Sequence, residues 1–165
     1  MYDSVYTVLT TRDPDNIYVL EAAASRAART QNDVDIEKAW RRILDKDPNY
    51  ANSYNMLGYL ELNRGNYDLA IEYMQKYAFL APDLANPHDS LGELYLALGR
   101  YEEAETEFVK SVTMQPDFYL SLINLGKVYI ARGELRRGLG ILEKLRGQVA
   151  GSELEMRIDN EVIKT

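Results

Sequence analysis

The chain has no cysteine and only one histidine, His88, in its 165 residues. Disulfide scaffolds, thiolate zinc sites and cysteine nucleophiles are therefore excluded. A single imidazole leaves almost no room for a histidine metal site or a proton relay. No apolar run approaches the roughly 18 residues of a membrane span, so no membrane insertion is expected. An excess of basic residues is also missing. The net charge of −7 disfavours sequence-independent binding to phosphate backbones or anionic lipid, so no nucleic-acid partner is expected. Met1–Leu9 has neither a basic leader nor the apolar stretch of a signal peptide, which leads to the expectation of a cytoplasmic location. What is present is ordinary for a folded chain. The composition is 46% hydrophobic and 27% charged, too apolar for a disordered tail, and the length suits one domain spanning 1–165.

The dominant feature is a period of 34 residues. Leu57-Gly58, Leu91-Gly92 and Leu125-Gly126 recur at that step, as do Gly65, Gly99 and Gly133. Tyr67, Tyr101 and Leu135 follow in the same phase, then Ala70, Ala104 and Gly138, then Met74, Phe108 and Leu142. Pro48, Pro82 and Pro116 are spaced alike. Each unit reads as two helices. Leu69, Ala70, Tyr73, Met74, Tyr77 and Leu80 form one helical stripe, and the glycine between the two helices suits the left-handed residue that ends a helix. Asn86-Pro87 reads as an N-cap with proline at the first helical position. Nothing in these units alternates with the period of two that marks a strand.

These residues resemble the tetratricopeptide repeat. Ala51–Leu84 supplies Tyr54, Leu57, Gly58, Gly65, Tyr67, Ala70, Met74 and Pro82 to its pattern. The unit 85–118 supplies Leu91, Gly92, Tyr95, Gly99, Tyr101, Ala104, Phe108, Ser111 and Pro116. The unit 119–147 supplies Leu122, Leu125, Gly126, Tyr129, Gly133 and Leu142, but it has Gly138 where alanine is usual and no closing proline. Ile17–Tyr50 fits the same frame as a degenerate repeat, with Ile36, Trp40, Ile43 and Pro48, and with Ala23-Ala24 in place of Leu-Gly. Its first helix is expected to open at Asp13-Pro14 and run to about Thr30. Glu61 and Tyr77 depart from the aromatic and the small residue of the pattern, so the packing of unit 51–84 on its predecessor is expected to be irregular. Tyr2, Val5, Tyr6 and Leu9 suggest a short N-terminal helix or strap. Ser152-Glu153-Leu154-Glu155 fits a capping box opening a terminal helix over 152–163. The resemblance implies an all-α, right-handed superhelical solenoid of antiparallel helix pairs, closed by that C-terminal cap.

It further implies a non-catalytic scaffold that binds a partner protein or peptide segment in a concave groove lined by first helices. Carried onto this chain, the groove positions are Asn52, Asn55, Tyr59 and Asn63, then Asn86, Asp89, Ser90 and Glu93, then Ile123, Asn124 and Lys127. Asparagine both donates and accepts, so it can bond a peptide backbone without dictating sequence, and Tyr59 is the aromatic anchor. Members that clamp a chaperone's C-terminal carboxylate use lysine, asparagine and arginine at set places. Here those places hold Asn55, Tyr59, Ser90, Leu120 and Asn124, and only Asn55 matches, so this is not expected to be a carboxylate-clamp protein. A catalytic triad from His88, Asp89 and Ser90 fails because successive residues on one helix diverge by about 100°. No metal, cofactor or enzymatic role is expected.

Charge is unevenly spread. Residues 85–118 hold 7 acids and 2 bases, while 119–147 hold 2 acids and 6 bases. Glu102, Glu103, Glu105 and Glu107, and likewise Arg132, Arg136, Arg137, Lys144 and Arg146, read as solvated helix faces. Two alternatives remain open: self-assembly into a homo-oligomer through oppositely charged ends, and a regulatory module of a larger enzyme or sensor.

Overall fold

A computed structural model of the chain describes residues 10–163, so the expected N-terminal strap around Tyr2, Val5, Tyr6 and Leu9 lies outside the described residues. Ile17 to Ile163 is a run of helices, and no strand occurs among the described residues. They are α1 (Ile17–Arg29), α2 (Asp33–Lys46), α3 (Ala51–Asn63), α4 (Tyr67–Leu80), α5 (Ala85–Ala97), α6 (Tyr101–Met114), α7 (Tyr119–Ala131), α8 (Leu135–Gln148) and α9 (Glu153–Ile163). Helices α3, α5 and α7 have 13 residues each, and α4, α6 and α8 have 14. The helices pack most extensively within the hairpins α1–α2, α3–α4, α5–α6 and α7–α8. They group into two compact units, one ending at Leu80 and the other beginning at Ala81.

The 34-residue signature works through two local devices. At Gly92, a Cβ would stand 2.7 Å from the Phe108 ring, so only glycine lets α5 approach α6 this closely; Gly58 and Gly126 stand in the same relation to Met74 and Leu142. Gly99 adopts φ +70°, where a Cβ is penalised. The Gly99 N–H bonds to the Leu96 carbonyl and the Arg100 N–H to that of Tyr95, closing the end of α5. Between α1 and α2, Gln31 takes this role at φ 52°.

In the N-terminal unit, Leu20, Ala24, Trp40, Ile43, Leu57 and Leu60 form a buried cluster. Glu61, also buried, pairs with Arg64 at 2.8 Å and accepts a hydrogen bond from the Asn66 amide at 2.6 Å. In the C-terminal unit, Ile123, Leu142, Leu145, Val149 and Ile158 form another cluster, with Leu154 and Val162 packed against it.

Three local expectations need correction. Helix α1 opens at Ile17, not Asp13, because the Asn16 side chain accepts the Tyr18 N–H and caps it there. Asn86 is not an N-cap: α5 starts at Ala85, and Pro87 sits within the first turn, where a missing N–H costs nothing. The capping box is altered too. Glu155 accepts from the Gly151 N–H at 2.7 Å, while the Ser152 hydroxyl turns back to the Val149 carbonyl.

Candidate functional site

The N-terminal unit holds a cleft of about 340 Å³ where α1, α2 and α3 meet. Its floor is apolar because the first helix carries small residues there. Ala24 and Ala28 leave room beside Trp40, and Met56, Leu60 and Ile36 complete the wall. Tyr59, half-buried, and Asn63, exposed, stand at its margin with Ser25 and Asp33. The Trp40 indole N–H is buried and has no hydrogen-bond partner, an arrangement that costs free energy. Two of the expected groove residues, Tyr59 and Asn63, thus border one cavity. Asn52 is exposed away from it, and Asn55 is buried with its Oδ1 unpaired. The composition of α1 held a signal for this cleft: a run of alanines facing a tryptophan is a deficit of volume. Residues Ala24, Ala28 and Trp40 were missed because their repeat positions normally serve packing.

The C-terminal unit treats its share of expected groove residues differently. Asp89, Ser90, Ile123 and Asn124 are all buried and face the chain's own residues, so they offer no surface to a partner in this structure. Ile123 belongs to the core cluster closed by Ile158 of α9. Ser121 donates to the Asp89 carboxylate at 2.5 Å. The Ser111 hydroxyl lies 2.7 Å from that of Ser121. Because the Ser121 proton points to Asp89, Ser111 must be the donor of this second bond. Burial pushes the Asp89 carboxyl up to about 6, against the opposing hydrogen bond from Ser121; the negative Glu93 adds to the rise, and Arg157 on α9 opposes it. Asn124 donates to Glu93 at 3.2 Å, and Lys127 reaches Asn124 at 3.4 Å and Glu161 at 3.7 Å. Only Asn86 stays exposed, with Glu93 and Lys127 half-buried.

The acidic and basic helices neutralise each other inside this unit. Glu105 on α6 accepts from the Tyr129 hydroxyl at 2.7 Å and pairs with Arg132 and Arg137, and Arg137 stacks on the Tyr129 ring at 3.8 Å. Burial, aided by Glu105, pushes the Tyr129 phenol up to about 12. His88 is held at 2.7 Å by Glu107, which also binds Lys110 at 2.6 Å. Among the described residues, no group of three or more acidic or histidine side chains is arranged to hold a metal ion, and no helix is long and apolar enough to cross a membrane.

Comparison with known proteins follows the same lines. Two family models described as tetratricopeptide repeat match residues 39–72 and 87–118. No curated protein matches in sequence. Among solved structures, a thermophilic TPR protein of Thermus thermophilus superposes with a TM-score of 0.79 at 16% identity, covering 97% of this chain and 88% of that one. MamA gives 0.70 at 18% identity, with the same coverages. The O-GlcNAc transferase of Thermobaculum terrenum gives 0.72 at 24% identity, over 84% of this chain but only 27% of that one. At such identities the likeness establishes the all-helical repeat fold and no activity. Together with the two matched stretches and the recurring glycine contacts, it shows that this chain carries tetratricopeptide repeats on an all-helical repeat fold.

Proposed function

We propose that the protein is a non-catalytic interaction scaffold, with all of 1–165 acting as one repeat domain, and that a partner segment docks in its N-terminal unit at the cleft beside Tyr59. The observation that supports this is the coincidence of two features. An apolar cavity lies open between α1, α2 and α3, and residues expected from the repeat pattern to face a partner, Tyr59 and Asn63, stand at its edge. A preformed cleft lets a ligand bind without ordering its receptor. Tyr59 offers an amphipathic surface of few rotatable bonds, and Asn63 can bond an extended backbone through both donor and acceptor. A non-catalytic role is favoured because His88 and the buried Asp89 carboxylate both have structural partners, Glu107 and Ser121. Assembly through oppositely charged ends is disfavoured, since Arg132 and Arg137 already pair with Glu105 in their own unit.

The test fills the cleft. Ala28→Phe and, separately, Tyr59→Ala are compared with the parent chain in quantitative capture of partners, with helix content followed by circular dichroism. Both variants should lose the same partners. An unchanged partner set in two folded variants refutes the cleft as the docking surface.

A further inference from the structure

Helix α9 sits on the last hairpin much as a ligand sits on a receptor. Its apolar residues Leu154, Ile158 and Val162 recur every four positions. Ile158 is fully buried against Ile123, Leu142, Leu145 and Val149. Around this seam the charges are complementary. Arg146 of α8 meets Asp159 at 2.9 Å and Glu155 at 3.9 Å, and Lys127 of α7 meets Glu161 at 3.7 Å. Apolar anchors at i, i+4 and i+8 with flanking charge pairs are the marks of helix-in-groove recognition. Moreover, Ile123 and Lys127, two positions assigned to partner contact, are among those that α9 covers.

The attachment is slight. Helix α9 has 11 residues, below the length at which isolated helices persist in water, and among the side chains described in it only Ile158 is fully buried. A short turn at Val149–Ser152 connects it, with Gly151 at φ +79°.

From this we infer that the face formed by α7 and α8 is a binding site for an acidic amphipathic helix, that α9 is its resident and exchangeable ligand, and that the α9 of a second copy of the chain occupies it in trans. The second copy is singled out because it necessarily carries every matching group: the apolar spacing, the acids opposite Arg146 and the acid opposite Lys127. Exchange of an identical element is a low-cost route to a dimer. The short tether raises the local concentration of the cis helix, so the closed form prevails until that tether is constrained. This site is in the C-terminal unit and does not depend on the cleft beside Tyr59.

Two measurements on the full chain test it. In the first, a fluorescent synthetic peptide of residues 152–165 is titrated by anisotropy against the parent chain and against Ile158→Asp, whose own α9 is released. The released chain should bind roughly tenfold tighter, the penalty imposed by a resident docked about nine-tenths of the time. Adding Lys127→Glu to the chain should weaken binding, and a peptide carrying Glu161→Lys should restore it. If Ile158→Asp does not fold, the chain carrying Asp159→Lys and Glu161→Lys takes its place. Equal binding to parent and released chains, or no binding to a folded released chain, overturns the site. In the second, Ala150 and Gly151 are deleted, so that α9 cannot fold back. Light scattering should show a dimer that Ile158→Asp returns to monomer. A shortened chain that stays monomeric with its helix content intact overturns the second copy as occupant.

Discussion

Replacing Asp89 by asparagine should stabilise this protein at neutral pH, although it removes a charge that accepts a hydrogen bond. The carboxyl is pushed from 3.8 to about 6 in the folded state, chiefly by burial. At about 1.4 kcal/mol per unit of pKa, holding it ionised at neutral pH costs the folded state up to about 3 kcal/mol. A group raised in the folded state contributes stability that is complete below its unfolded value and is lost as pH rises through its folded value. For Asp89 that window runs from about 3.8 to about 6. Asparagine keeps the shape and the Oδ1 acceptor for Ser121, but it gives up a charge-assisted bond and turns an amide toward Asn124. Those losses are worth about 1 to 2 kcal/mol. The expected net gain is therefore about 1 to 2 kcal/mol above pH 7, falling to nothing or to a small loss near pH 4. Urea unfolding of both chains across this range measures it as a change in midpoint at constant slope. All other carboxylates are common to the two proteins and cancel in the difference. An Asp89→Asn chain destabilised by the same amount at pH 4.5 and at pH 8 would refute the reasoning, because the cost would then be steric or a lost bond instead of ionisation.

Other expectations concern packing and charge. Gly92→Ala places a Cβ 2.7 Å from the Phe108 ring and should cost about 1 to 3 kcal/mol by overpacking, read as a lower urea midpoint. Gly140→Ala, in the exposed middle of α8 with nothing near its Cβ, should instead stabilise by up to about 1 kcal/mol through helix propensity. Gly99→Ala meets no neighbour but must hold φ +70°, so a loss of about 1 kcal/mol is expected from the backbone alone. Glu105→Gln should cost about 1 kcal/mol, since Arg137 is more than half exposed and Arg132 keeps Glu102 and Glu134 as partners; the tyrosine absorbance titration of Tyr129, which Glu105 helps to hold high, should move down.

The repeat could be read from the chain because its causes are local. A glycine at positive φ ends a helix wherever it occurs, and a Leu-Gly pair followed 16 residues later by Met74, Phe108 or Leu142 specifies one close contact within one hairpin. Helix starts at Ala51, Ala85 and Tyr119 follow directly from that period. The proposed docking surface could be read only in part. Tyr59 and Asn63 border a cavity, whereas Asp89, Ser90, Ile123 and Asn124, chosen by the same rule, are inside.

The difference arises because a repeat position sets which way a side chain leaves its helix, while burial depends on what else arrives there. Ser121 and Asn124 arrive against Asp89 and Glu93, and Ile158 arrives on Ile123. Beside Tyr59, the alanines of α1 leave space unfilled. The sequence alone therefore determined the helical hairpins and their phase, since those rest on interactions within about 20 residues. Tertiary structure decided which faces remain available, because availability is set by neighbours more distant along the chain, above all by where the C-terminal helix comes to rest.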